Sequence, residues 1–270
     1  MSERGLTADQ IDTSIAHPAR MYDYYLGGRD NYEVDRQAAQ RIISALPSIV
    51  TGARANRAFL HRTVHTLVAE CGIRQILDIG TGIPTSPNTH EVAQRVEPTT
   101  RVVYVDNDPI VAVHAHARLT DAGHTAFLPG DVRRLDEILE RVRAEKLIDF
   151  TQPVGVLMLA LLHFLRDEEN PAAVVARLRD ALPAGSYVAI SHGTRDRATM
   201  ENFEPLAELA DVYRHATASL TLRTHAQVLG FFEGFDLLEP GLVSVSSWRP
   251  APDSTEPPWI GIYGGVGRKR

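Results

Sequence analysis

The chain has 270 residues, a formal net charge of −6 and 44% apolar residues, with a single cysteine, Cys71. That length suits one α/β domain with an added cap and leaves enough apolar chain for a sizeable core. The acidic balance and the lack of a long Lys/Arg run argue against a dedicated nucleic-acid or anionic-membrane surface, and a lone cysteine forms no internal disulfide.

The expected organisation is an N-terminal arm and helical cap over residues 1–70 and an α/β domain over 71–270. The first twenty or so residues form a polar arm. Residues 18–47 read as helical with an interruption at Gly27-Gly28. The aromatic cluster Tyr22, Tyr24, Tyr25 and Tyr32 either packs the cap onto the core or closes over a ligand, with the glycine pair as hinge. Residues 54–71 form a helix with Phe59, Leu60, Val64, Leu67 and Val68 at helical spacing. Its arginines Arg54, Arg57 and Arg62 lie on other faces, either solvated or, for Arg57, free to fork onto a carboxylate. Cys71, at the end of that helix, reads as a small, partly buried residue.

From residue 75 strands and helices alternate. Strands are expected near 75–79, 102–106, 125–128, 154–159 and 186–191, and helices near 88–96, 109–121, 133–145 and 171–182. Asn88-Thr89-His90-Glu91 is a capping box, and Asp108-Pro109 an N-cap followed by Pro at the first helical position. Such alternation builds a parallel sheet covered on both faces. A charged helical insert near 193–220 and a helix over 224–232 come next. Two late strands near 242–248 and 259–266, joined by a Pro-rich connection, make an antiparallel pair. The fold class is therefore α/β, a doubly wound, mostly parallel seven-stranded sheet with a C-terminal antiparallel hairpin and an N-terminal helical cap.

The densest chemical signal is Gln75-Ile76-Leu77-Asp78-Ile79-Gly80-Thr81-Gly82, followed about two dozen residues on by Val102-Val103-Tyr104-Val105-Asp106. An apolar run ending in Gly-x-Gly, then another ending in an acid, is how a doubly wound sheet holds a nucleoside. Gly80, Thr81 and Gly82 bring backbone close to a ligand, and Asp106 is placed to take both ribose hydroxyls. Dinucleotides and S-adenosylmethionine both fit. The dinucleotide fingerprint wants a third small residue where Thr85 stands, behind Pro84. Asp78 would also repel phosphates, whereas it would welcome an ammonium or a sulfonium. The local chemistry favours S-adenosylmethionine.

Four runs carry a resemblance to a family: Pro18 to Tyr32 with its Tyr24-Tyr25-Leu26-Gly27-Gly28, Arg54 to Leu60, Leu77 to Thr85, and Val103 to Pro109 with its Asp106-Asn107-Asp108-Pro109. From about residue 15 onward the chain resembles Rossmann-like S-adenosylmethionine-dependent methyltransferases, and more narrowly an uncharacterised actinobacterial group of them. The resemblance implies the fold and the cofactor and leaves the substrate open. It also suggests Arg57 for the methionine carboxylate. In Leu128-Pro129-Gly130-Asp131-Val132, Asp131 and the Val132 N–H become candidates for the adenine edge, with Asn107 beside them. Asp131 alternatively caps the next helix. Tyr22, in the cluster that closes over the cofactor, is a candidate cofactor contact.

Methyl transfer from a sulfonium is an in-line displacement, for which alignment and desolvation supply most of the rate. His163 and His192, after the fourth and fifth strands, are the candidate bases. The Asn/Asp-Pro-Pro-aromatic run of amino-methylating DNA enzymes is replaced by Leu159-Ala160-Leu161-Leu162-His163, and no cysteine stands there for cytosine-C5 chemistry. Asp196 is alone in its region, so no metal is expected. The longest apolar run, Val154 to Leu162, is roughly half the ~20 residues of a spanning helix, and no signal peptide opens the chain, which predicts a cytoplasmic protein away from membranes. The sequence reads as an S-adenosylmethionine-dependent methyltransferase with a small-molecule acceptor. A cofactor-binding regulator without turnover and an NAD-dependent dehydrogenase are the alternatives.

Overall fold

The structure is a computed structural model and describes residues 12–119, 124–196, 200–251, 254 and 259–270. The tip of the polar arm and most of the Pro-rich connection lie outside the described residues. Three helices open the fold: α1 (Pro18–Tyr25), α2 (Glu33–Ala45) and α3 (Ser48–Ala69). α1 starts directly after His17, with Pro18 at the first position. It stops at Gly27, whose φ of +84° is left-handed. α2 starts where Asp35 takes the Tyr32 N–H at 2.9 Å. α3 begins at Ser48, directly after Pro47 and earlier than the apolar spacing alone predicts, and it accommodates Gly52 in its second turn.

The parallel core follows as β1 (Gln75–Ile79), α4 (Thr89–Val96), β2 (Arg101–Asp106), α5 (Pro109–Leu119), β3 (Thr125–Pro129), α6 (Leu135–Ala144), β4 (Gly155–Leu159), α7 (Pro171–Ala181) and β5 (Tyr187–Gly193). Then come α8 (Met200–Arg214), α9 (His225–Gly230), β6 (Phe235–Leu237), β7 (Val243–Ser244) and β8 (Ile262–Lys269). The sheet order is β3-β2-β1-β4-β5-β8-β6, with β7 pairing β8 beside that path. β1 to β5 run parallel, and β8 is antiparallel to β5, β6 and β7.

β1 is buried along its whole length, and alternate side chains enter two cores. Ile76 joins Val102, Leu157 and the α3 residues Phe59, Val64 and Leu67 on one face. Leu77 and Ile79 join Val103, Val156, Met158 and the α6 residues Ile138 and Leu139 on the other. Helices therefore cover both faces, which is why strands such as Val102 to Val105 are continuously apolar. A third cluster sits above the sheet edge, where Met21, Tyr25 and Ile42 of the cap pack against Leu209, Val212 and Tyr213 of α8. Arg41 pairs with Glu208 at 2.7 Å across this contact.

The late strands differ from expectation. Only Val243–Ser244 of the expected 242–248 segment pairs with β8, and a 3-10 turn over Val245–Ser247 follows. The edge at this end of the sheet is β6, a three-residue strand too short to show a period. Glycines of β8 admit this packing: a Cβ on Gly264 would lie 2.6 Å from Val245 Cγ1, and one on Gly267 would lie 2.8 Å from Phe235 Cβ. Behind the turn, Trp248 is fully buried and meets Phe59 edge-on at 5.3 Å. Among the described residues no helix is long and apolar enough to cross a membrane.

Candidate active site

The carboxyl ends of β1 to β5 converge beneath the cap on a cavity of about 620 Å³. Gly80 and Gly82, directly after β1, hold φ of +75° and +69°. Such left-handed turns favour glycine. A Cβ on Gly80 would stand 2.7 Å from Leu161 Cδ1, whereas one on Gly82 would meet nothing within 4 Å. Gly80 is thus favoured by its conformation, with the Leu161 side chain packed against it, and Gly82 leaves backbone open to the cavity. The Gly80 N–H donates to Val105 O at 2.8 Å, which ties the turn to β2.

Asp106 closes β2 and accepts from the Gly82 N–H at 2.8 Å and the Asp108 N–H at 2.9 Å. Burial raises its affinity for a proton against those two donors. Asp78 lies inside β1 and accepts from Thr89 Oγ1 at 2.7 Å. Burial pushes it up to about 6, opposed by the Thr89 hydroxyl and the Arg57 guanidinium. The first turn of α4 therefore faces a carboxylate, where a pyrophosphate site would need an unopposed helix N-terminus. Thr81 turns back, its hydroxyl donating to Asp78 O at 3.0 Å.

Arg57 of α3 donates from Nη2 to the carbonyls of Thr85 and Pro87 and holds the loop between β1 and α4. Among the described residues its buried Nε has no hydrogen-bond partner. Beside it, Tyr22 donates to Ala53 O at 2.9 Å and accepts from Asn56 Nδ2 at 3.1 Å, and burial raises its phenol. After β3, Asp131 caps a 3-10 turn by accepting the Arg133 N–H at 2.9 Å, with Val132 buried behind it. Asn107 follows Asp106 on the exposed side. Tyr22, Arg57, Asp78, Gly80, Thr81, Gly82, Asp106, Asn107, Asp131, Val132 and His163 all line this one cavity.

A family model described as S-adenosyl methyltransferase matches residues 4–270. The chain belongs to that family. It is a methyltransferase that uses S-adenosylmethionine. A DUF574 family protein from Streptomyces avermitilis is 42% identical over 96% of this chain and 99% of its own, with a TM-score of 0.89. A proposed methyltransferase from Thermobifida fusca is 38% identical over 96% of this chain and 97% of its own, with a TM-score of 0.87. Human N-acetylserotonin methyltransferase, solved with its cofactor, shares the fold at a TM-score of 0.50 and 14% identity, over 92% of this chain and 62% of its own. A search of curated proteins gives no match.

Within this methyltransferase the two candidate bases part company. β5 runs on to Gly193, beyond the expected end at 191, because β8 pairs with it as far as Gly193↔Ile262. His192 is thereby a strand residue, fully buried, and it does not line the cavity. Its Nδ1 lies 2.6 Å from Gly193 O and its Nε2 3.0 Å from Arg223 Nη1. Burial pushes it down to about 4, so the ring is neutral, with its proton on Nδ1. His163 does line the cavity. Its Nδ1 accepts from the Gly193 N–H at 3.1 Å, which places the proton of the neutral ring on Nε2. Burial, with His192 and Arg223 adding to it, holds His163 well below 6.5. In this geometry and at neutral pH its Nε2 is a hydrogen-bond donor.

Other functional positions carry no local signal. Arg20, 2% exposed, lies 3.5 Å from Asp108 Oδ2 and 3.6 Å from Asp35 Oδ2, and His17 Nδ1 lies 3.0 Å from Asp108 Oδ2. Burial raises Asp108, but the His17 and Arg20 contacts outweigh it and hold the carboxyl below its ordinary range. This cluster ties the cap to the loop behind Asp106. Among the described residues no group of three or more His, Cys, Asp or Glu is placed to hold a metal ion.

Proposed function

We propose that this protein binds S-adenosylmethionine across the carboxyl ends of β1 to β3 and methylates a small molecule held in the same cavity beneath the cap. The observation that carries the reading is the convergence of the glycine turn, three carboxylates and Arg57 on one enclosed space. The donor and acceptor set suits the cofactor. Asp106 takes the ribose hydroxyls, and Asp131, Val132 and Asn107 meet the adenine edge. Asp78 faces the methionine ammonium, while the unpartnered Nε of Arg57 serves the carboxylate. Tyr22 and residues 18–47 form the lid over residues 71–270, and the protein works in the cytoplasm.

Bound S-adenosylmethionine supplies a methyl group made electrophilic by its sulfonium. The chain's own share is to bind, to align and to keep water out. The cap contributes exclusion through its apolar face on α8. Calorimetric titration with S-adenosylmethionine, S-adenosylhomocysteine and NAD tests the assignment. Binding of the first two near the micromolar range with silence for NAD is the expected result. Binding of NAD alone overturns it.

A further inference from the structure

The cavity has two chemically different walls. One carries the groups assigned above to the cofactor. The other is the open side of the cluster that joins the cap to α8: Leu46, Phe164, Leu206, Leu209, Tyr213 and Leu222 belong to that cluster and line the cavity. None of them is a carboxylate, an ammonium or a guanidinium. Polar groups on this side are neutral donors. Burial raises Tyr25, with the neighbouring Tyr213 hydroxyl adding to it, and pushes Tyr213 up to about 12, so both phenols are neutral. His163, stacked edge-on with Phe164 at a ring distance of 4.4 Å, keeps its proton on Nε2 because the Gly193 N–H occupies Nδ1. Among the described residues that Nε2 has no partner.

The arrangement of His163 is itself held from behind. Arg223, 3% exposed, donates to Leu162 O at 3.0 Å and Leu165 O at 2.9 Å, pairs with Asp167 at 2.7 Å and meets His192 Nε2 at 3.0 Å. His192 in turn lies against Gly193 O, next to the peptide whose N–H locks His163. One buried cation thus fixes the 162–165 turn and the end of β5 together. Arg223 and His192 are positioning residues, and His163 is the group they position.

The geometry points to an uncharged, mostly apolar acceptor carrying an oxygen lone pair, bound between α8, the cap and Phe164, with its oxygen accepting from His163 Nε2–H. This rests on the cavity being the methyltransferase site. A charged acceptor would be buried against an apolar wall that carries no counter-ion of its own. Arg133 lines the cavity beside it, donating to Phe164 O at 3.1 Å, but is paired with Asp131 and Glu169. Asp23 and Asp196 also line the cavity, each with its Oδ2 already accepting two hydrogen bonds. Asp23 Oδ2 accepts from Asp30 N–H and Asn31 Nδ2, and Asp196 Oδ2 from His225 N–H and Tyr263 O–H. They are the groups an ammonium would have to use.

The test is calorimetric titration of the protein, loaded with S-adenosylhomocysteine, by three probes of one shape: 2-naphthol, 2-naphthoate and 2-naphthylmethylammonium. The expected result is that 2-naphthol binds roughly tenfold or more tighter than either ion. His163→Phe should weaken 2-naphthol by about three- to tenfold while retaining S-adenosylhomocysteine, and Leu209→Lys should move the preference to 2-naphthoate. Equal or weaker binding of 2-naphthol than of either ion, silence included, overturns the inference. Failure to bind S-adenosylhomocysteine is a failure of the cofactor reading instead, and the same three titrations on the unloaded protein then decide the pocket.

Discussion

Asp78→Asn separates a stability cost from a binding role. The carboxyl is 5% exposed and its proton affinity rises from an ordinary 3.8 to about 6. At about 1.4 kcal/mol for each tenfold change in proton affinity, that rise corresponds to about 3 kcal/mol against the folded state at pH 7. The sign follows from proton counts. Between pH 3.8 and about 6 the folded protein keeps a proton on Asp78 that the unfolded chain has released, so stability falls as pH rises through that window and the full cost remains above it. Asparagine keeps the shape and an oxygen for the Thr89 hydroxyl without the charge. The cofactor-free variant should therefore be more stable than the parent at pH 7.5, by up to about 3 kcal/mol, or on the order of 6–12 °C in melting temperature. Its advantage should shrink as pH falls below 6 and vanish below about 4. Affinity for S-adenosylmethionine should fall roughly ten- to hundredfold, because a charge-assisted contact to an ammonium is lost. Thermal melts across pH and calorimetry check the two halves. A variant no more stable than the parent at pH 7.5, with unchanged cofactor affinity, would refute the reasoning and leave Asp78 as a partner of Thr89 alone.

Asp106→Ala removes the acceptor for two backbone N–H groups and for the ribose, and should weaken cofactor binding about a hundredfold in the same titration. Gly80→Ala forces a Cβ against Leu161 at a φ of +75° and should cost about 1–3 kcal/mol in urea unfolding. Phe59→Ala empties a fully buried site against Trp248, costing about 3–5 kcal/mol and changing the tryptophan emission.

How far the sequence shows this molecule depends on how locally each feature is specified. β1 and β2 are legible because a strand covered on both faces must be apolar throughout, and the Gly-x-Gly turn and Asp106 mark their ends. β6 is not legible, since three residues show no period and their place at the edge depends on glycines in β8 far along the chain. His192 shows the same limit at a functional position. Its place on the rim or in the strand turns on how far β8 extends the pairing of β5, and the observed register carries it into the core beside Phe231, at a ring distance of 5.8 Å. Arg223 and Arg20 lie furthest beyond local patterning. Each is a buried guanidinium whose partners come from distant segments: Asp167 and the 162–165 turn for one, Asp35 and Asp108 for the other. Periodicity tells which side of an element is apolar, and so predicts that such arginines face solvent. Only the assembled fold can repay the desolvation of a buried cation, and it does so here where two segments must be held in one arrangement for the site to exist.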